Sequence, residues 1–184
     1  MGTFTAEEVA MRDKGYFGRF DNYVDLDEPF LISPENYASL VTWCEPYVAR
    51  GYEVQGALTF HVEDGRGVVI ERVYAMGGKS ESFRATCKLD PEDMFRQIQR
   101  DYPQRTQLMA NEVGWWHLHP GYYPVLSVGD VEECRAAMRE QGFDVTHRTL
   151  HMLMYGDGRC YQLSAYAIGL EEVNRFPVRI HPNF

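Results

Sequence analysis

From Val113 to Trp116 the chain is apolar without interruption, and the run passes through His117-Leu118-His119 before Pro120 and Gly121 break it. A short apolar run with such a stop predicts a buried strand that carries the two histidines at its end. Ser127 then opens a segment, Val128 to Gln141, in which Val131, Cys134, Ala136, Ala137 and Met138 stand among Glu and Arg, the mixture expected of a helix.

The same reading along the rest of the chain gives a sheet-and-helix order. Ser33 and Pro34 form an N-cap and first-turn pair, and Tyr37, Leu40, Val41, Cys44 and Val48 recur at helical spacing until Gly51 ends the segment. Glu53 to Val62 and Val68 to Met76 are predicted strands joined by a Glu-Asp-Gly-Arg-Gly turn, and Phe83 to Leu89 is a third. Asp90 caps a second helix whose inner stripe is Met94, Phe95 and Ile98, running to about Arg100. His147 to Tyr155 and Arg159 to Ile168 form a closing hairpin. Residues 1–32 are read as an N-terminal extension, 33–168 as the catalytic domain and 169–184 as a C-terminal tail containing Pro177 and Pro182. The aromatic and acidic stretch Tyr16 to Asp25 either packs on the domain or meets a partner.

Spacing gives the strand and the helix a shared chemistry. Residues two apart on a strand share a face, so His117 and His119 lie roughly 6–7 Å apart at Cα, close enough for both imidazoles to reach one ion, while Leu118 turns into the core. Ser127 and Asp130, three apart at a helix start, share a side of the first turn, and the Asp130 carboxylate can meet the two histidines. Two imidazoles and one carboxylate suit Zn²⁺ with one position left for water, the form of a hydrolytic site. Each part also has a plainer reading. Ser-x-x-Asp at a helix start is a capping box variant that satisfies backbone N–H groups, and a lone His-x-His is ordinarily packing or surface.

Composition narrows the setting. A chain of 184 residues with 45% hydrophobic residues is sized for one domain with a real core. No run approaches the ~18 apolar residues of a membrane span, and no signal-peptide core stands at the N-terminus. Cys44, Cys87, Cys134 and Cys160 are scattered without a C-x-x-C pair, which predicts reduced, mostly buried thiols in a cytoplasm. Cys134, four residues after Asp130, is read as core packing. A net charge of −9 argues against a nucleic-acid partner and suits one with a basic face. His61, His147, His151 and His181 lack ligand spacing and are read as structural or surface residues.

His117, one residue, His119, seven residues beginning with Pro120, Ser127, then two residues and Asp130: this arrangement resembles the signature of the JAMM (MPN-plus) zinc isopeptidases. Gly114-Trp115-Trp116-His117-Leu118-His119-Pro120-Gly121 is similar to the Gly-Trp-Tyr-His-Ser-His-Pro-Gly core of eukaryotic members that release ubiquitin and ubiquitin-like proteins from lysines. Leu118 departs from that core, with consequences for packing rather than ligation. The family also carries an upstream Glu-x-x-Gly-x-Leu, which Glu53-Val54-Gln55-Gly56-Ala57-Leu58 matches.

The resemblance implies an α/β (α+β) fold, a single JAMM/MPN domain with a mixed curved β-sheet flanked by helices, cytidine-deaminase-like. It implies Zn²⁺ on His117, His119 and Asp130, Glu53 as general acid/base and Ser127 as hydrogen-bond donor to the oxyanion. Otherwise Glu53 is an exposed strand residue. The implied reaction cleaves after the C-terminal glycine of a ubiquitin-like protein, freeing it from its conjugated target or trimming its precursor. Partners would be that protein and its target, with E1- and E2-like proteins of a bacterial conjugation system, and neither nucleic acid nor membrane. Two insertions that position the modifier in relatives map to Gly77 to Ser82 and to the segment after Met138, and an edge strand in the 68–89 region is the expected seat for the modifier's tail. Alternatives are the same zinc chemistry on a sulfur-carrier protein, or a non-catalytic MPN scaffold.

Overall fold

The computed structural model describes residues 18–75, 81–82, 87–88, 91–103, 113–121 and 123–182, together with Ala6 and Ala10. In chain order the elements are β1 (Val24–Asp25), β2 (Phe30–Ile32), α1 (Pro34–Val48), β3 (Gln55–Glu63), β4 (Gly67–Val73), β5 (Glu81–Ser82), β6 (Cys87–Lys88), α2 (Pro91–Asp101), β7 (Val113–Pro120), α3 (Val128–Glu140), β8 (Thr149–Gly156), β9 (Tyr161–Ile168) and β10 (Val173–Ile180). Met76, the first insertion as far as residue 80, Phe83, Leu89 and the Asp90 cap lie outside the described residues.

Strand pairing runs β10-β2-β4-β3-β7-β8-β9 and returns to β10, so seven strands close into a barrel. The closing strand β10 pairs antiparallel with β9 (Val173↔Ile168 to Pro177↔Ser164) and parallel with β2 (Val178↔Phe30 to Ile180↔Ile32). This corrects the expected fold. A mixed curved sheet flanked by helices would leave two edges, whereas here the sheet closes on itself and, among the described residues, strands dominate over the helices α1, α2 and α3. Closure removes the exposed rows of N–H and C=O groups that an open sheet must protect. Within the 68–89 region β4 is paired on both sides, by β2 and β3, whereas β5 and β6 form a separate two-stranded sheet.

The barrel fills by alternation along its strands. Leu58 and Phe60 of β3, Ile70 of β4, Trp116 and Leu118 of β7, Met152 and Met154 of β8 and Tyr161 of β9 gather in one buried cluster with Leu40 and Cys44 of α1. Ser33 caps α1 as its sequence predicts, its Oγ accepting from the Asn36 N–H at 3.1 Å, with Pro34 in the first turn. The opposite strand faces carry two further clusters. Met94 and Ile98 of α2 pack with Ala57, Tyr74, Val113 and Trp115. Val131 and Cys134 of α3 pack with Leu153, Tyr155, Tyr166, Ile168 and Val173.

Parallel β7 and β8 are adjacent and joined through α3, a strand-helix-strand crossover. The end of β7 and the start of α3 therefore meet, which is where the candidate chemistry lies. The leader packs on the domain: Phe20 N–H donates to Leu126 O at 2.9 Å, Val128 N–H donates to Gly18 O at 2.7 Å, and β1 runs parallel to β10. Among the described residues no helix is long and apolar enough to cross a membrane.

Candidate metal centre

Strand β7 sends Trp116 and Leu118 to the central cluster and turns His117 and His119 to the other face, where both are buried at 4–5% exposure. After Pro120 the chain turns at Gly121 (φ 101°), whose N–H donates to Gly156 O at 2.7 Å and anchors the return toward α3. Ser127 caps α3: its Oγ accepts from the Asp130 N–H at 3.1 Å, and Asp130 Oδ2 accepts from the Ser127 N–H at 2.6 Å. The capping box read from the sequence is therefore present, and it is also what aims the carboxylate. The Ser127 hydroxyl donates to the same Oδ2 at 2.8 Å.

His117 Nε2 and His119 Nε2 stand 2.9 Å apart. Asp130 Oδ1 lies 3.7 Å from His117 Nε2, and Oδ2 lies 3.4 Å from His119 Nε2. Ligands on a tetrahedral zinc, with Zn–N and Zn–O of about 2.0–2.1 Å, are about 3.3 Å from one another, and one ligand atom from each of the three residues lies within 4.8 Å of the others. Among the described residues this is the one group of three metal-capable side chains drawn together. It can hold a metal ion, and the donor set fits a divalent one of borderline softness.

Electrostatics agree with the geometry. Burial pushes the His117 imidazolium well below its ordinary range, leaving a neutral ring with a lone pair to offer. Burial opposes the charged form of Asp130, but the two histidines and the Ser127 N–H outweigh it and hold the carboxyl well below the usual range. Glu53 stands just before β3 rather than within it, with Oε1 3.9 Å from His119 Nε2 and its side chain 16% exposed. The expected alternative for Glu53, a solvent-exposed strand residue, does not hold at that position.

Gly56 of the upstream motif has a physical reason. It pairs with Trp116 across the β3–β7 ladder, and the Trp116 indole passes over it to donate to Tyr74 O at 2.9 Å. A Cβ there would meet that carbonyl oxygen and lie 2.7 Å from Trp116 Nε1.

One residue beside the centre was not singled out by the sequence reading. His151, read as structural or surface, sits buried on β8 with its Nε2 2.5 Å from His117 Nδ1. The available signal was alternation, because His151, Leu153 and Tyr155 share one face of the strand that follows α3. Burial pushes the His151 pKa down to about 4. Of the remaining histidines, His61 contacts Glu71 and His147 contacts Asp144, both on exposed surface. Cys44 is buried and Cys134 half-buried as expected, whereas Cys160 is exposed.

No family model matches the chain, and no curated protein matches it significantly. Among solved structures it is similar to the solution structure of protein DSY2949 from Desulfitobacterium hafniense, a structural genomics target whose name states no activity. The TM-score is 0.59 at 15% identity, over 84% of this chain and 94% of that one. Likeness at that identity concerns the fold alone.

Proposed function

We propose that this protein is a zinc-dependent peptidase or isopeptidase that hydrolyses the bond after the C-terminal glycine of a ubiquitin-like protein. One observation carries the reading: His117, His119 and Asp130, from the end of β7 and the start of α3, converge with ligand atoms within 4.8 Å of one another and Glu53 beside them. The match to the JAMM signature, with the upstream Glu-x-x-Gly-x-Leu, supplies the reaction class. The closed barrel differs from the fold expected with that signature, so the argument rests on the site and not on architecture.

His117, His119 and Asp130 would hold the ion. Bound there, a divalent zinc ion supplies a Lewis acid and an acidified water. The Glu53 carboxylate takes the proton of the attacking water and returns it to the departing nitrogen, as general base and then general acid. The Ser127 hydroxyl, which donates to Asp130 in the free protein, turns its proton to the developing oxyanion. The free thiols at Cys44, Cys134 and Cys160 suit a reducing cytoplasm, where conjugated modifiers and E1- and E2-like partners would be met.

Fusions of bacterial ubiquitin-like proteins to a reporter, incubated with wild-type protein, metal-stripped protein and Glu53→Gln, test this. Cleavage after the terminal glycine by the wild type alone is the expected result. If all three leave every fusion intact although the wild type binds zinc, the hydrolase reading is wrong.

A further inference from the structure

Each of the two histidines has a nitrogen facing the centre and one facing away, and the partners of the outer nitrogens differ in kind. His119 Nδ1 stands 3.3 Å from the backbone carbonyl of Tyr123. A carbonyl only accepts, so His119 carries its proton on Nδ1 and leaves Nε2 bare for an ion. The outer nitrogen of His117 meets a side chain: its Nδ1 lies 2.5 Å from Nε2 of His151, with ring centroids 4.7 Å apart and planes at 80°.

That edge-on arrangement suits one N–H aimed at the in-plane lone pair of the next ring. His151 is 9% exposed and comes from β8, where the parallel ladder sets it opposite Trp115, two residues before His117. Outer partners of metal-bound histidines are ordinarily carboxylates, carbonyls or water, and they fix both ring orientation and tautomer. Here a second imidazole occupies that place.

We infer that His151 is a positioning residue for the metal centre: its Nε2 accepts the Nδ1 proton of His117 and so presents His117 Nε2 as a ligand. The inference rests on the proposed zinc site and extends it to a fourth residue. For a neutral His151 the remaining proton sits on its own Nδ1. Were the direction reversed, His117 would hold its proton on Nε2, pointing into the centre and blocking ligation.

Zinc affinity, measured by chelator competition on the full chain, tests this independently of any activity. His151→Phe and His151→Ala remove the acceptor, one keeping bulk and the other not, while His151→Gln can place a side-chain carbonyl near the lost nitrogen. Thermal unfolding of the zinc-free proteins reports folding separately. The expected result is zinc binding weakened about 10–100-fold in whichever acceptor-less variant folds, with at least partial recovery in His151→Gln. Wild-type zinc affinity in the folded Phe or Ala variant overturns the inference and leaves the zinc site standing. Equal weakening in Phe, Ala and Gln overturns it too, since packing alone would then explain the loss. If the wild type takes up no zinc, the metal reading fails and carries this inference with it.

Discussion

Gly56 and Trp116 illustrate how a single atom can decide a local arrangement. The indole N–H of Trp116 reaches Tyr74 O only because position 56 has no side chain. Gly56→Ala forces that buried hydrogen bond apart or shifts the strand, which overpacking data place at about 1–3 kcal/mol. Denaturant unfolding should give a lower midpoint with the slope unchanged, and a neutral result would mean the ladder yields more easily than its spacing implies. The cysteines give a pH-dependent outcome at the same scale. Burial pushes the Cys44 thiol up to about 12 from 9.0. Between these values the unfolded chain ionises first, so Cys44 lowers stability as pH rises above about 9. Native-state labelling at pH 8 should modify Cys160 and spare Cys44 until the protein unfolds, and rapid labelling of Cys44 would contradict its placement in the core.

At the scale of elements, the β7–α3 turn was the most legible part of the chain. An apolar run, a Pro-Gly stop and a Ser cap each carry a local physical signal, and together they gave the strand, the helix and the three residues that the fold draws together. His151 lay beyond that reading, because its role depends on β8 lying parallel beside β7, which no local pattern encodes. The ends of the barrel were hidden for related reasons. β2 has only Phe30, Leu31 and Ile32, all buried, too short for alternation to register. β10 contains Pro177, which argues against a central strand, yet the chain there closes the barrel against β9 and β2. The turn also combines two duties in one hydroxyl. Ser127→Ala removes both the cap on α3 and the donor to Asp130 Oδ2. The expected cost is about 1 kcal/mol, a fall of about 2–4 °C in Tm for a chain of this size. Calorimetry of the zinc-free protein reads the two losses together, and an unchanged Tm would show that neither stabilises the fold.

On the scale of the whole molecule, the barrel is assembled from pairings distant in sequence. β10 joins residues 173–180 to residues 30–32, and β7 joins residues 113–117 to residues 55–59. Hydrophobic periodicity gave β3, β4, β7, β8 and β9, but the closure that replaced an open sheet is a property of registers, which periodicity leaves undetermined. The candidate centre links the crossover end of β7 to α3, so occupancy should stabilise the fold as a unit. Zinc at 100 times its dissociation constant adds about 2.7 kcal/mol by mass action, roughly 5–10 °C in Tm for a domain of this size. A melt in zinc and a melt in chelator compare the two directly, and coincident curves would show that no ion is held.

Gly18, far upstream in the chain, supplies the carbonyl that takes the first amide of α3, and Phe20 fastens itself one residue before Ser127. Residues 18–20 thus form a strap that bears on the serine and the aspartate from outside the centre, and loosening it would free the first amide of the helix. Slowed or quickened deuterium exchange at the Val128 amide would read that tension directly.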